Sequence, residues 1–91
     1  MQTGAITSLF GEVAEKLGQS ENEYARYVSD KNLQKKLLAL YMQASVGDNI
    51  SKQPGILDLQ GRQKWEAWTE LKGMNQKEAV QKFLELSVPL I

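Results

Sequence analysis

Hydrophobic residues in this chain recur every three or four positions, in stretches separated by glycine, proline, asparagine and aspartate, and no stretch alternates with the period of a strand. Such stripes each make one apolar helix face. Leu9, Phe10, Val13, Ala14 and Leu17 predict a first helix from about Thr7 into the twenties. Gly18 weakens it, and Tyr24, Tyr27 and Val28 resume an apolar stripe. Leu33, Leu37, Leu40, Tyr41 and Ala44 predict a second helix. Ser29 or Asp30 is its N-cap, because a short side-chain oxygen can accept from free first-turn N–H groups. Gly47 falls just past its end, where positive φ is wanted. Trp65, Trp68 and Leu71 predict a third helix from about Gly61 to Lys72, stopped by Gly73. Asn75 and Glu78 have capping-box spacing for a fourth, whose buried stripe is Ala79, Val80, Phe83, Leu84 and Val88 and whose end is Pro89. The expected fold is all-α: an up-down bundle of four helices in one domain, residues 1–91, with a long loop between helices two and three.

That loop, Gly47 to Gly61, is rich in turn formers. Loops of this length are commonly functional or held by their own apolar residues. Ile50, Ile56, Leu57 and Leu59 are the candidates for holding it here. The two tryptophans are expected to pack the core.

Composition excludes several functions. The 91 residues contain no cysteine and no histidine. Disulfides, thiol chemistry, Cys- or His-based metal sites and Ser-His-Asp catalysis are therefore out of reach. No nucleophile–base pair suggests an enzyme. No metal is expected: Glu66 and Glu70 lie one helical turn apart, but Arg62 is a simpler i, i+4 partner for Glu66. Asp48 and Asp58 read as turn or cap residues. No apolar run is long enough for a membrane span, and no signal peptide is recognisable.

Eleven basic and eleven acidic side chains give zero net charge, which argues against nucleic acid as a partner. The charge is uneven, with a balance of −3 over residues 1–30 and +4 over residues 31–82. Two readings stand: solvated helix faces, or a local site for an anionic ligand. Tyr41, near the end of helix two and beside the loop, offers a ring that can stack on a purine. Lys64, directly before Trp65, can reach across a groove to a phosphate.

The stretches Leu40-Tyr41-Met42-Gln43-Ala44-Ser45-Val46-Gly47-Asp48, Pro54-Gly55-Ile56-Leu57-Asp58, Gly61-Arg62-Gln63-Lys64-Trp65-Glu66-Ala67-Trp68, Leu71-Lys72-Gly73 and Glu78-Ala79 resemble the acyl-CoA-binding protein family in order and spacing. The likeness covers about half of the chain, from Leu38 to Phe83; the first thirty residues match loosely. The resemblance implies an up-down four-helix fold that carries long-chain acyl-CoA without catalysis and without a cofactor. The acyl chain would lie in an apolar groove, with the nucleotide head against helices two and three. Tyr41 would then stack on adenine and Lys64 would neutralise phosphate. The ligand-binding set implied is Leu38, Tyr41, Met42, Lys64 and Phe83. Three of these depart from the family pattern: Met42 stands where lysine is usual, and Leu38 and Phe83 stand where tyrosines are usual. Gln60 also replaces an often basic residue. Weakened phosphate contacts are the expected consequence.

The expected setting is cytoplasmic, with acyl-CoA as partner and no stable membrane insertion. The end at Val88-Pro89-Leu90-Ile91 lacks the charged tail common in the family. That is consistent with a domain excised from a longer chain, which would bring a protein partner. The alternative function is a protein-interaction module that kept the fold and lost the ligand, using Met42, Leu38 and Phe83 as an exposed apolar patch.

Overall fold

A computed structural model describes the backbone of residues 2–91 and the side chains of residues 8–20 and 22–91. Glu21, one of the acids counted above, lies outside the described side chains. The chain forms α1 (Gln2–Leu17), α2 (Glu21–Tyr24), α3 (Lys31–Ser45), α4 (Leu59–Thr69) and α5 (Gln76–Ser87), followed by a 3-10 turn, Val88–Leu90. It is all-helical among the described residues, with four long helices and a long loop before α4, as the periodicity predicted.

The first helix stops sooner than expected. Gly18 takes φ 107°, a conformation that ends α1. The polar residues that follow, Gln19 to Glu23, do not continue α1. Ser20 Oγ accepts from the N–H of Glu23, while the Glu23 carboxylate accepts from the Ser20 hydroxyl and the Gln19 N–H. This reciprocal cap starts the single turn of α2. It carries Tyr24 and Val28 into the core.

The other boundaries follow local chemistry. Asp30, rather than Ser29, caps α3, its carboxylate accepting from the N–H groups of Asn32 and Leu33. Gly47 adopts φ 97° just beyond α3. Asp58 caps α4 through the Gly61 N–H, so this helix begins and ends a few residues earlier than predicted. Asn75 caps α5 at 2.7 Å from the Glu78 N–H. Pro89 falls inside the terminal 3-10 turn, and Val88 there is exposed instead of buried.

The core is Val13, Leu17, Tyr24, Val28, Leu37, Leu40 and Phe83, drawn from α1, α2, the segment after it, α3 and α5. α3 is the central helix, packed on both α5 and α4, while α1 packs on α5. α4 contributes no buried residue. Trp65 and Trp68, expected in the core, are only half-buried.

α3 and α4 run in the same sense. Trp68, near the end of α4, bonds to Gln43 and Gly47 at the end of α3. At the other end, Lys31 and Gln60 line one cavity. Parallel neighbours require the chain to travel back the length of a helix, about 16 Å for an eleven-residue α4. Residues 46–58 make that return, which is the physical reason for the long loop.

Tyr24 is fully buried, and its hydroxyl has no hydrogen-bond partner among the described residues. Burial pushes its phenol pKa up, with the nearby Tyr41 adding to the shift. An unpaired buried hydroxyl is a net cost to the folded state. Tyr24→Phe should therefore raise unfolding stability, by about 1 kcal/mol, in urea titration at neutral pH. A loss of similar size would mean that the hydroxyl has a partner in solution.

Candidate functional site

The loop and α4 are held by polar contacts rather than by the loop's aliphatic residues. Ile50 and Leu57 are 94% and 95% exposed, and Ile56 and Leu59 are also largely in solvent. Buried Asn49 does the holding instead. Its amide donates to Trp65 O at 3.3 Å and Thr69 Oγ1 at 3.0 Å, and its carbonyl accepts from the Ser51 N–H and hydroxyl. Both indoles donate back to the loop: Trp65 Nε1 to Ser51 O at 2.9 Å, and Trp68 Nε1 to Gly47 O at 2.9 Å. Each tryptophan thus has one edge tied to the loop and a ring left for the cleft beside α3.

Gln43 joins these parts. Its side chain is fully buried. Nε2 donates to Asp48 Oδ1 at 2.8 Å and to Met74 O at 2.7 Å, and Oε1 accepts from Trp68 Nε1 at 3.1 Å. Asp48 Oδ1 also accepts from the Gly73 N–H at 2.9 Å. One carboxamide and one carboxylate therefore fasten the end of α3, the loop, the end of α4 and the turn into α5. In the sequence Gln43 shows this role only as a glutamine on the inward stripe of a helix, within a stretch that resembles the family, where a polar side chain needs built-in partners.

Between α3, α4 and the loop lies a groove of about 280 Å³. Leu38, Met42, Trp65 and Trp68 form most of its apolar wall, Pro54 and Gly61 close it, and Lys52 and Lys64 bring ammonium groups. Three of the five expected ligand residues, Leu38, Met42 and Lys64, thus come together here. Tyr41 and Phe83 do not line this groove. Tyr41 is stacked on Phe10 at 5.7 Å between centroids, and Phe83 meets Phe10 edge-on at 5.2 Å. Tyr41 is half-buried, whereas Phe83 has no exposed surface and acts as the floor of this aromatic group. Met42, Leu38 and Phe83 therefore do not form one exposed patch. Lys52, Trp65 and Trp68 also line the groove, beyond the five expected ligand residues, and the indole pair lies there instead of in the core.

Asp48 is the carboxylate whose environment matters most. The Gly73 N–H and the Gln43 amide hold its pKa below the ordinary carboxylate value, and Lys72 adds to this. Among the described residues no acid cluster is placed to hold a metal ion, and no helix is long and apolar enough to cross a membrane.

This is the geometry of a binding module: a central helix, a weakly embedded parallel neighbour, and an open apolar cleft between them. Over residues 7–87 the chain matches the family described as acyl CoA binding protein. It is 49% identical over 55 residues to the acyl-CoA-binding protein of Saccharomyces cerevisiae, covering 60% of this chain and 63% of that one. It is 42% identical over 79 residues to the acyl-CoA-binding protein homolog of Drosophila melanogaster, covering 87% and 86%. With the acyl-CoA-binding protein homolog 1 of Caenorhabditis elegans the identity is 45% over 56 residues, 62% and 65% of the two chains. The matched stretch thus spans less than two thirds of the yeast and nematode relatives and most of the fly one. The chain belongs to the acyl-CoA-binding protein family.

Two measurements check this architecture. Asn49→Ala should cost about 1–3 kcal/mol and speed amide exchange over residues 47–58, whereas Leu57→Ser should change stability by less than about 0.5 kcal/mol. The Asp48 contribution has a defined pH sign. A carboxylate with a lowered folded pKa stabilises above its unfolded value, near pH 4, and loses that contribution as pH falls through the folded value. The stability difference between wild type and Asp48→Asn should therefore be constant above about pH 5 and shrink in more acid solution. A difference that does not change with pH would place the effect in shape rather than charge.

Proposed function

We propose that this domain binds long-chain acyl-CoA thioesters, without catalysis, in the cleft between α3 and α4. The observation that carries the proposal is the groove itself. Leu38, Met42, Trp65 and Trp68 offer an apolar wall and Lys64 and Lys52 supply cations, all in one concave site. A fatty chain gains roughly 0.8 kcal/mol per buried methylene, so a long acyl group binds more tightly than coenzyme A alone. The phosphates are the anionic end, and ammonium–phosphate bonds are stronger than neutral ones. Family membership and the names of the yeast, fly and nematode relatives support the same ligand.

Within this reading Tyr41 supplies the surface for the adenine ring. Phe10 already covers one face of Tyr41, so a base stacks on the other. Met42 places a thioether on the groove wall where the family pattern has an ammonium. That loss weakens phosphate binding by about 1.5–3 kcal/mol, roughly tenfold to a hundredfold. The role is that of a carrier that keeps acyl thioesters in a protein-bound pool.

Calorimetric titration with palmitoyl-CoA, against coenzyme A as control, tests the proposal. Heat with the ester and little with the free thiol is expected. No heat at tens of micromolar protein would favour a module that has lost its ligand. Lys64→Ala should weaken ester binding about tenfold and lessen its dependence on salt. Met42→Lys should tighten it by a similar factor. Unchanged affinity in the first variant would remove Lys64 from the site, and unchanged affinity in the second would show that the missing lysine is not limiting.

A further inference from the structure

A second cavity, of about 310 Å³, opens between α2 and the first turns of α3 and α4. Its lining is unlike that of the apolar groove. Lys31 and Lys35 face it, together with the carboxamides of Asn22, Gln34, Gln60 and Gln63. Among the described residues no carboxylate lines it. The two nearest described acids in sequence are engaged elsewhere, Asp30 on the first N–H groups of α3 and Glu23 on Gln19 and Ser20.

The site is partly pre-formed. Gln34 is 8% exposed, and its Nε2 donates to Val28 O at 2.6 Å, which sets the orientation of its amide. Lys31 and Lys35 are four residues apart, on one face of α3, where like charges repel and weaken a helix. An anion between them converts that repulsion into two charge-assisted bonds. The cavity lies next to the groove along the helices: Leu38 of the groove stands one turn beyond Lys35 on α3, and Lys64 follows Gln63 on α4.

We infer that Lys31 and Lys35 form a second anion subsite at the N-terminal end of the α3–α4 cleft, which receives an anionic oxygen group of the bound thioester. The inference rests on acyl-CoA being the ligand, as proposed above. Two parts of such a ligand have the chemistry. One is a phosphate of the coenzyme, displaced toward this end because Met42 offers it no charge. The other is a carboxylate at the far end of a dicarboxylic acyl chain.

The test compares wild type with Lys31→Gln/Lys35→Gln, in which two ammonium groups become neutral amides that preserve the helix. Three probes are titrated: palmitoyl-CoA, palmitoyl-pantetheine and the mono-CoA ester of hexadecanedioic acid. If phosphate occupies the subsite, the double variant binds palmitoyl-CoA at least about tenfold more weakly, with a shallower salt dependence, and palmitoyl-pantetheine equally well. If the distal carboxylate occupies it, wild type prefers the dicarboxylic ester over palmitoyl-CoA, and the variant loses that preference. Equal binding by both proteins across all three probes overturns the subsite and leaves the acyl-CoA reading standing. Failure of wild type to bind any of the esters overturns both.

Discussion

The buried carboxamide of Gln43 is the contact on which the arrangement of the other parts depends. A carboxamide with no exposed surface must find its partners within the protein, because each unmet donor or acceptor carries a desolvation cost. Gln43 meets that demand with Asp48, the carbonyl of Met74 and the indole of Trp68. Those partners belong to the loop, the turn before α5 and α4. Satisfying one side chain thus brings the end of α4 against the end of α3 and sets the two helices parallel. The Asp48 carboxylate extends the same junction to Gly73.

A cleft follows from how α4 is attached. Helices usually bury an apolar stripe, but α4 buries no residue fully. It is fastened at its C-terminal end by Gln43, Gly47 and Asn49, and one turn earlier by the bond of the Trp65 indole to Ser51 of the loop. Polar fastening at the edge leaves the tryptophan rings on the wall of a groove rather than in a core. Such a weakly embedded element belongs to the low-stability part of a fold, from which binding surfaces are commonly drawn. The rigid remainder, with Tyr24, Leu37, Leu40 and Phe83 at its centre, supplies the platform.

Much of the helix layout was legible because caps and stops are contacts between near neighbours. Asp30, Asp58 and Asn75 each meet an N–H three residues on, and Gly47 turns the chain by itself. The end of α1 was misread because hydrophobic spacing resumed after Gly18, although Ser20 and Glu23 already carried a capping signal. The loop misled for a different reason. Ile50 and Leu57 are the apolar residues that spacing would bury, yet Asn49 holds the loop. Hydrophobicity ranks residues by transfer energy and does not reveal that a buried asparagine has backbone partners waiting. The same limit hid Gln43 and assigned Trp65 and Trp68 to the core.

The candidate site was legible only in part. Leu38, Met42 and Lys64 share the groove because positions 38 and 42 lie one turn apart on α3. Tyr41 and Phe83, from the same set, belong to the aromatic group with Phe10. Sequence alone determined the helices, most of their ends and the family, since these depend on residues a few positions apart. Tertiary structure decided the parallel sense of α3 and α4, the division of the expected ligand residues between groove and aromatic group, and the joining of Lys31 and Lys35 with Gln60 and Gln63. Those features depend on which faces meet across separations of 21 residues or more, and for α3 and α4 that is decided by the polar partners a buried side chain can find.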